Sequence, residues 1–168
     1  LVLFGSQAYL QAPITYDKKS VEEILWATDA GMAGNSTSIG DAIGVALKSL
    51  KDSKDIDKKI IILMTDGENN SGVLTLPQAI NLAKEEGVKI YTIGVGADTA
   101  LVQSILGFQM ALPSGLDEES LNEIAKATQG TYFRAKDTSS LEKIYAEINK
   151  LEASENEAQF VRKTIELF

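Results

Sequence analysis

Ile60-Ile61-Ile62-Leu63-Met64-Thr65-Asp66-Gly67-Glu68-Asn69-Asn70 is the stretch on which the fold turns. Its five leading apolar residues, three of them β-branched, read as a strand buried on both faces, as in a parallel sheet covered by helices. The strand carries a carboxylate, Asp66, to its C-terminal end, where Gly67 turns the chain. Open α/β sheets hold their ligands at that end of their strands. Asp66 is therefore the first candidate binding residue.

Downstream, Thr75-Leu76-Pro77-Gln78 combines an N-cap with proline in the first turn, and Gly87 is a natural C′ stop, which predicts a helix over about Leu76 to Glu86. Val88 to Val95 predicts a second buried strand ending in Gly94-Val95-Gly96. Asp117 to Thr128 predicts an amphipathic helix, Gly130 to Phe133 a short strand, and Ser139 to about Leu151 the last helix. Upstream, Leu1 to Phe4 and Ala8 to Ile14 flank the Gly5-Ser6 turn and predict an antiparallel hairpin, with Pro13 favouring a sheet edge. Ser20-Val21-Glu22-Glu23 reads as a capping box opening a helix to about Thr28, with Val21, Ile24 and Leu25 on its inner face and Trp26 as a packing residue. Ile39, Ile43, Ala46, Leu47 and Leu50 fall at helical spacing and predict a helix that ends in the polar Lys51 to Lys59 linker. Strands and helices alternate from Ile60 onward with short connections, so the expected fold class is α/β: a doubly wound, mostly parallel sheet with one antiparallel edge hairpin.

The chain has 168 residues, 44% of them hydrophobic, enough for one well-buried domain. A net charge of −8 disfavours phosphate backbones and anionic lipid surfaces, so nucleic acid is not an expected partner. The absence of cysteine and histidine excludes thiol nucleophiles, serine–histidine triads and most zinc sites. Carboxylates, hydroxyls and backbone groups remain, a donor set suited to magnesium, manganese or calcium. No segment reaches the roughly 18 to 20 apolar residues that span a bilayer, so the chain reads as a soluble domain. It opens directly on an apolar strand, which reads as a chain whose upstream residues have been cut away.

Thr37 and Ser38 lie in the Gly34-Asn35-Ser36-Thr37-Ser38-Ile39-Gly40-Asp41 turn, at the rim to which a doubly wound fold also brings Asp66. A hydroxyl and a carboxylate converging there suit a hard divalent cation. The blander readings are a turn aspartate at Asp66-Gly67 and ordinary helix capping by Thr37 and Ser38. A calcium loop of the EF-hand type fails, because Ser71 and Pro77 stand where it requires glycine and glutamate. Gly94-Val95-Gly96 lacks the third small residue of a dinucleotide fingerprint, with Thr99 in its place.

Five motifs in order, Leu3-Phe4-Gly5-Ser6-Gln7-Ala8-Tyr9, Ser36-Thr37-Ser38-Ile39-Gly40-Asp41-Ala42-Ile43, Leu63-Met64-Thr65-Asp66-Gly67-Glu68-Asn69-Asn70, Ile90-Tyr91-Thr92-Ile93-Gly94-Val95-Gly96 and Gly130-Thr131-Tyr132-Phe133-Arg134-Ala135, resemble the landmarks of a von Willebrand factor type A (VWA) domain. The resemblance runs from Leu1 to about Leu151. The Phe108 to Gly115 insertion and the tail ending Lys163-Thr164-Ile165-Glu166-Leu167-Phe168 resemble the bacterial aerotolerance proteins of the BatA/BatB type. That family implies a Rossmann-like, non-enzymatic protein-interaction module between transmembrane helices of an inner-membrane protein. The domain would face the periplasm, and residues 152–168 would lead towards a membrane segment.

The resemblance also implies a metal-ion-dependent adhesion site built from an Asp-x-Ser-x-Ser loop, a threonine and an aspartate, holding Mg²⁺ or Mn²⁺. Thr37 matches the threonine and Asp66 the aspartate. Asp-x-Ser-x-Ser does not occur at the required position, since the first strand and first metal loop would precede Leu1. The expected site is thus a remnant that holds metal weakly or not at all in this chain.

Loss of that central strand would leave two rows of backbone groups unpaired. Three outcomes are open: strand exchange in a homodimer, repair by Phe160 to Leu167, or an upstream segment that fills the gap. The implied partners are a protein ligand with an acidic side chain, other VWA proteins and a MoxR-like ATPase system. The alternatives are a metal-independent scaffold of the same fold and a receiver-type phosphoacceptor domain. The latter needs an acidic pair where Gly5-Ser6 stands.

Overall fold

The computed structural model describes residues 1–29, 31–52, 59–96, 99–103, 109–113 and 115–165, of which 99–103, 109–113 and 154–165 are described by backbone alone. Its contacts group into two compact units. The first comprises Leu1–Gly94 with Gly115–Tyr132, and the second the remaining described residues.

The first unit opens with the expected hairpin, β1 (Val2–Phe4) and β2 (Ala8–Leu10), antiparallel with Leu3 opposite Tyr9. Gly5 N–H donates to the Gln7 carbonyl at 2.9 Å across the turn. After Leu10 the chain leaves the strand: Gln11 and Ala12 N–H both return to the Leu1 carbonyl, so β2 is shorter than its apolar alternation suggested.

Helix α1 (Lys18–Trp26) starts earlier than its capping box predicted. Asp17 takes the cap, accepting from Ser20 N–H at 3.1 Å and from the Ser20 hydroxyl at 2.6 Å, so the serine is held by the cap and does not provide it. No residue of α1 is buried, and Trp26, expected as a packing residue, is 83% exposed.

Helix α2 (Ile39–Asp52) buries Ile39, Ala42, Ile43, Leu47 and Leu50, the predicted stripe with Ala42 in place of Ala46. Residues 53–58 of the predicted linker lie outside the described residues. Strand β3 (Ile60–Thr65) pairs in parallel with β4 (Lys89–Val95), Ile60 opposite Lys89 through Thr65 opposite Gly94, and β7 (Tyr132–Ala135) completes a sheet ordered β3-β4-β7. In the central strand Ile90, Tyr91, Thr92 and Ile93 are all buried, as expected for a strand sandwiched between helices. Helix α3 (Leu76–Glu85) carries the predicted Thr75 cap, which the structure extends to a reciprocal capping box with Gln78, and Gly87 follows it at φ +63°, a left-handed conformation that suits glycine. Together with α4 (Glu118–Ala127), these helices enclose a core of Ile39, Ile43, Leu63, Ile80, Ile90, Leu121 and Ile124. This is the α/β architecture that the strand–helix alternation predicts.

The hairpin and the parallel sheet are separate sheets, although α2 packs on both. Among the described residues no strand pairs with β3 on the edge away from β4. Its apolar run is accordingly less covered than β4, with Ile60 and Ile61 half-buried and Ile62 38% exposed.

In the second unit β5 (Thr99–Gln103) and β6 (Gln109–Pro113) form an antiparallel pair; only β6 falls within the stretch read as an insertion, whose first residue, Phe108, lies outside the described residues. Gly96 N–H donates to the Ala135 carbonyl at 3.0 Å. Helix α5 (Thr138–Ile165) runs fourteen residues past the expected end at Leu151, with Ile144 and Ile148 buried. Repair of the sheet by Phe160 to Leu167 is therefore not what the chain does: its backbone is helical through Ile165. No helix among the described residues is long and apolar enough to cross a membrane.

The α4 cap carries a pH-dependent prediction. Hydrogen bonds from the Ser120 hydroxyl and backbone N–H hold the Asp117 carboxyl below its usual value. A folded-state pKa that is depressed adds stability above the unfolded value, and that contribution fades as pH falls through the folded value. Asp117→Ala is expected to cost about 1 kcal/mol at neutral pH. Urea melts of the two proteins should converge below about pH 4. A gap that persists undiminished into acid would show that the carboxylate charge is not what stabilises the cap.

Candidate functional site

Strand β3 delivers its last residue, Thr65, buried and 7% exposed, to the sheet's C-terminal rim. The Thr65 hydroxyl accepts Gly67 N–H at 3.3 Å, which folds the chain back and leaves Asp66 at the apex, exposed. Within the described residues no hydrogen bond uses the Asp66 carboxylate. The turn is thus held by its threonine, and the blander reading, an aspartate capping its own loop, does not describe it.

Thr37 arrives from the other side. It lies two residues before α2 and is half-buried, and Ser38 N–H anchors the segment to the Gly5 carbonyl at 2.8 Å. A Cβ at Gly67 would lie 3.3 Å from Thr37 Oγ1, so the hydroxyl faces the Asp66–Gly67 turn from a position thirty residues away in sequence. The Thr37 hydroxyl likewise has no hydrogen-bond partner within the described residues. The structure brings the two predicted site residues to one rim with their oxygens uncommitted.

Sequence reasoning missed what joins them. Asn70 Oδ1 accepts Thr37 N–H at 2.8 Å, while the Thr37 carbonyl accepts Asn70 N–H at 3.0 Å and Ser71 N–H at 3.2 Å. Asn69 Oδ1 accepts Ile39 N–H at 2.8 Å and Gly40 N–H at 3.4 Å. The Asp41 carboxylate accepts Leu74 N–H at 2.7 Å and Val73 N–H at 3.0 Å, so this acid is spent on the loop and is not available to a ligand. The hairpin turn joins the same rim, with Ser6 Oγ accepting Ser36 N–H at 3.2 Å. The one signal in the sequence was the Asn69-Asn70 pair, polar residues that tolerate tight turns.

Ser38 occupies the N-cap position of α2, its carbonyl accepting Ala42 N–H at 3.1 Å, yet its hydroxyl caps nothing. Ser38 Oγ is fully buried without a partner. Capping is supplied by Asn69. Because that amide takes the first free N–H groups, the α2 N-terminus is closed to phosphates and other anions that such a terminus otherwise attracts.

Chemically, Thr37 and Asp66 offer a hydroxyl and a carboxylate, both hard oxygen donors. No cluster of three or more acidic residues able to hold a metal occurs among the described residues. A hard divalent cation fits Thr37 and Asp66 as two of its ligands, and the rest of a six-coordinate shell must come from elsewhere.

A family model described as the von Willebrand factor type A domain matches residues 1–147. Among solved structures, an uncharacterized membrane spanning protein from Vibrio fischeri is 40% identical, with 90% of this chain and 74% of that one covered and a TM-score of 0.52. The conserved hypothetical protein BatB from Bacteroides thetaiotaomicron is 28% identical over 90% of this chain and 78% of its own, with a TM-score of 0.69. Proximal thread matrix protein 1 from the mussel byssus, solved with a zinc occupied MIDAS motif, is 25% identical over 90% of this chain and 33% of its own, with a TM-score of 0.67. A curated protein of Borreliella burgdorferi is 31% identical over 90% of this chain and 46% of its own length. The chain spans about half the length of the curated relatives it matches.

Proposed function

The chain belongs to the von Willebrand factor type A domain family, and from that premise we propose that it is a non-enzymatic protein-interaction module whose Thr37 and Asp66 hold a Mg²⁺ or Mn²⁺ ion. The observation that carries this reading is the pairing of two free oxygen donors across the rim, Thr37 Oγ1 beside the Asp66–Gly67 turn. Bound there, the ion would act as a Lewis acid towards a carboxylate oxygen of the partner, taking an acidic side chain as a ligand. The exposed Asp66 and Glu68 would repel that carboxylate without the cation, which makes recognition metal-dependent.

A structural relative with zinc in its adhesion motif supports a cation at this rim. The likeness to a membrane spanning protein and to an aerotolerance-related membrane protein supports a membrane-anchored parent; that this is the inner membrane, with the domain facing the periplasm and working with other VWA proteins and a MoxR-like ATPase system, is part of the proposal.

The second reading, a metal-independent scaffold, has one observation in its favour: among the described residues the rim supplies two protein ligands and no acidic cluster. Calorimetric titration of Mn²⁺ into the domain separates the two. A saturable heat that disappears in Asp66→Ala and weakens on the order of tenfold or more in Thr37→Ala supports the adhesion site. A heat unchanged by both substitutions sinks it, and no saturable heat in the intact parent domain favours the scaffold.

A further inference from the structure

We propose that Asn69 and Asn70 are positioning residues: they lock the Thr37 segment onto the loop that follows Asp66, so that the two donor oxygens move as one body. The inference rests on the metal-site reading for its consequence, while the lock itself is independent of any ion.

Thr37 precedes α2, so no helical ladder holds it. Both of its backbone polar groups are committed to the 66–75 loop, the N–H to Asn70 Oδ1 and the carbonyl to Asn70 and Ser71 N–H. Asn70 therefore grips one residue from two sides, with its backbone donating and its side chain accepting. A turn of the Thr37 backbone that swung the hydroxyl away from Gly67 would break both contacts at once. Asn69 adds the second point of attachment by capping α2 through Ile39 and Gly40 N–H.

Local chemistry alone does not explain this arrangement. Ser38 at the N-cap position is among the best capping residues, and its own hydroxyl would satisfy an N–H two or three residues on. The chain instead takes the cap from thirty residues away and leaves Ser38 Oγ buried without a partner, which is destabilising. Such conflicts between local and global preference concentrate where function sets the geometry. The choice of amide is also informative. Aspartate would interact better with the positive end of the helix, but asparagine supplies the same oxygen without another negative charge beside Asp66. Residues that orient ligands in this way change metal affinity by about 10–100-fold when removed.

The test uses the ¹⁵N-labelled chain and two readouts: hydrogen exchange at the Thr37 and Ile39 amides without metal, and Mn²⁺-induced broadening at Thr37 and Gly67. Asn70→Ala is expected to raise Thr37 exchange and to move the Mn²⁺ half-point up about tenfold, while the buried amides of Ile90 and Ile93 stay put and certify the fold. Asn69→Ala should do the same at Ile39. Asn70→Asp, which keeps the accepting oxygen, should restore protection at Thr37. In a Thr37→Ala background, Asn70→Ala should weaken Mn²⁺ no further, because it acts through Thr37. Unchanged Thr37 exchange in Asn70→Ala overturns the proposal, as do losses of the two substitutions that simply multiply. If Thr37 protection responds to Asn70 while no Mn²⁺ broadening appears in any variant, the lock stands and the metal reading falls.

Discussion

Gly40→Ala is expected to destabilise the domain by about 3 kcal/mol, the upper part of the range for forcing an extra carbon into a packed site. In a chain of this size that lowers Tm by roughly 6–12 °C. A Cβ at Gly40 would lie 1.9 Å from the Leu74 carbonyl oxygen and 2.9 Å from its carbon. Both atoms are backbone, and Leu74 N–H is itself tied to the Asp41 carboxylate at 2.7 Å, so the loop can retreat only by straining or breaking that hydrogen bond. The substitution should push residues 69–74 outward, break the Asn69 cap on Ile39 and Gly40, and separate Thr37 from Asp66.

Gly44→Ala is the control. It lies one turn further along α2, and its added Cβ would meet only the tip of the Leu74 side chain, at 3.1 Å. That side chain can rotate, and alanine is favoured over glycine inside a helix by up to about 1 kcal/mol. Thermal melts should place Gly44→Ala at or slightly above the parent and Gly40→Ala well below it. Equal losses at both positions would mean that helix packing in general, and not this one backbone approach, limits α2.

The contrast between α2 and its loop also shows what was legible in the sequence. Ile39, Ile43, Leu47 and Leu50 announce a buried helix face because helical periodicity is local, and the Ile60 run announces a covered strand for the same reason. Thr75, Pro77 and Gly87 mark the ends of α3 with residues whose effect reaches only three or four positions. The convergence of Thr37 and Asp66 was legible by topology, since both lie at the rim where parallel strands end. The Asn69 cap was not, because its acceptor and its donors stand thirty residues apart and leave no local pattern. The end of α5 was misread for a different reason. Residues 152–168 read as an extension beyond the last helix, but Ala and Glu are good helix formers, and no glycine or proline interrupts residues 138–165. Its amphipathic signal fades while its backbone continues. The pairing of β5 with β6 was missed as well, because Thr99 to Gln103 lies before the stretch read as an insertion and was not recognised as a strand.

The open edge of β3 carries the other large expected effect. Ile60-Ile61-Ile62-Leu63-Met64 combines β-branched residues, no charge and no proline, and on one side it has no strand partner among the described residues. Unpaired edges of this kind template association with further strands. Ile62, 38% exposed at the middle of the run, is where an incoming chain would bury apolar surface. The chain is therefore expected to self-associate as its concentration rises between about 10 µM and 1 mM, the range in which open edges become hazardous. Strand exchange between two copies would close the edge at dimer size, whereas simple edge-to-edge stacking would not stop there.

Ile62→Lys should shift the equilibrium towards monomer. A charge at the centre of an edge is the device by which β proteins block such pairing, and the half-exposed position lets the ammonium reach water without entering the core. Sedimentation equilibrium on the two proteins reads the outcome directly. A strictly monomeric parent across the range would mean that the edge is protected by something other than a second copy. A dimer that persists unchanged in Ile62→Lys would move the interface away from β3, leaving α1, with its exposed Leu25 and Trp26, as the apolar surface to test next.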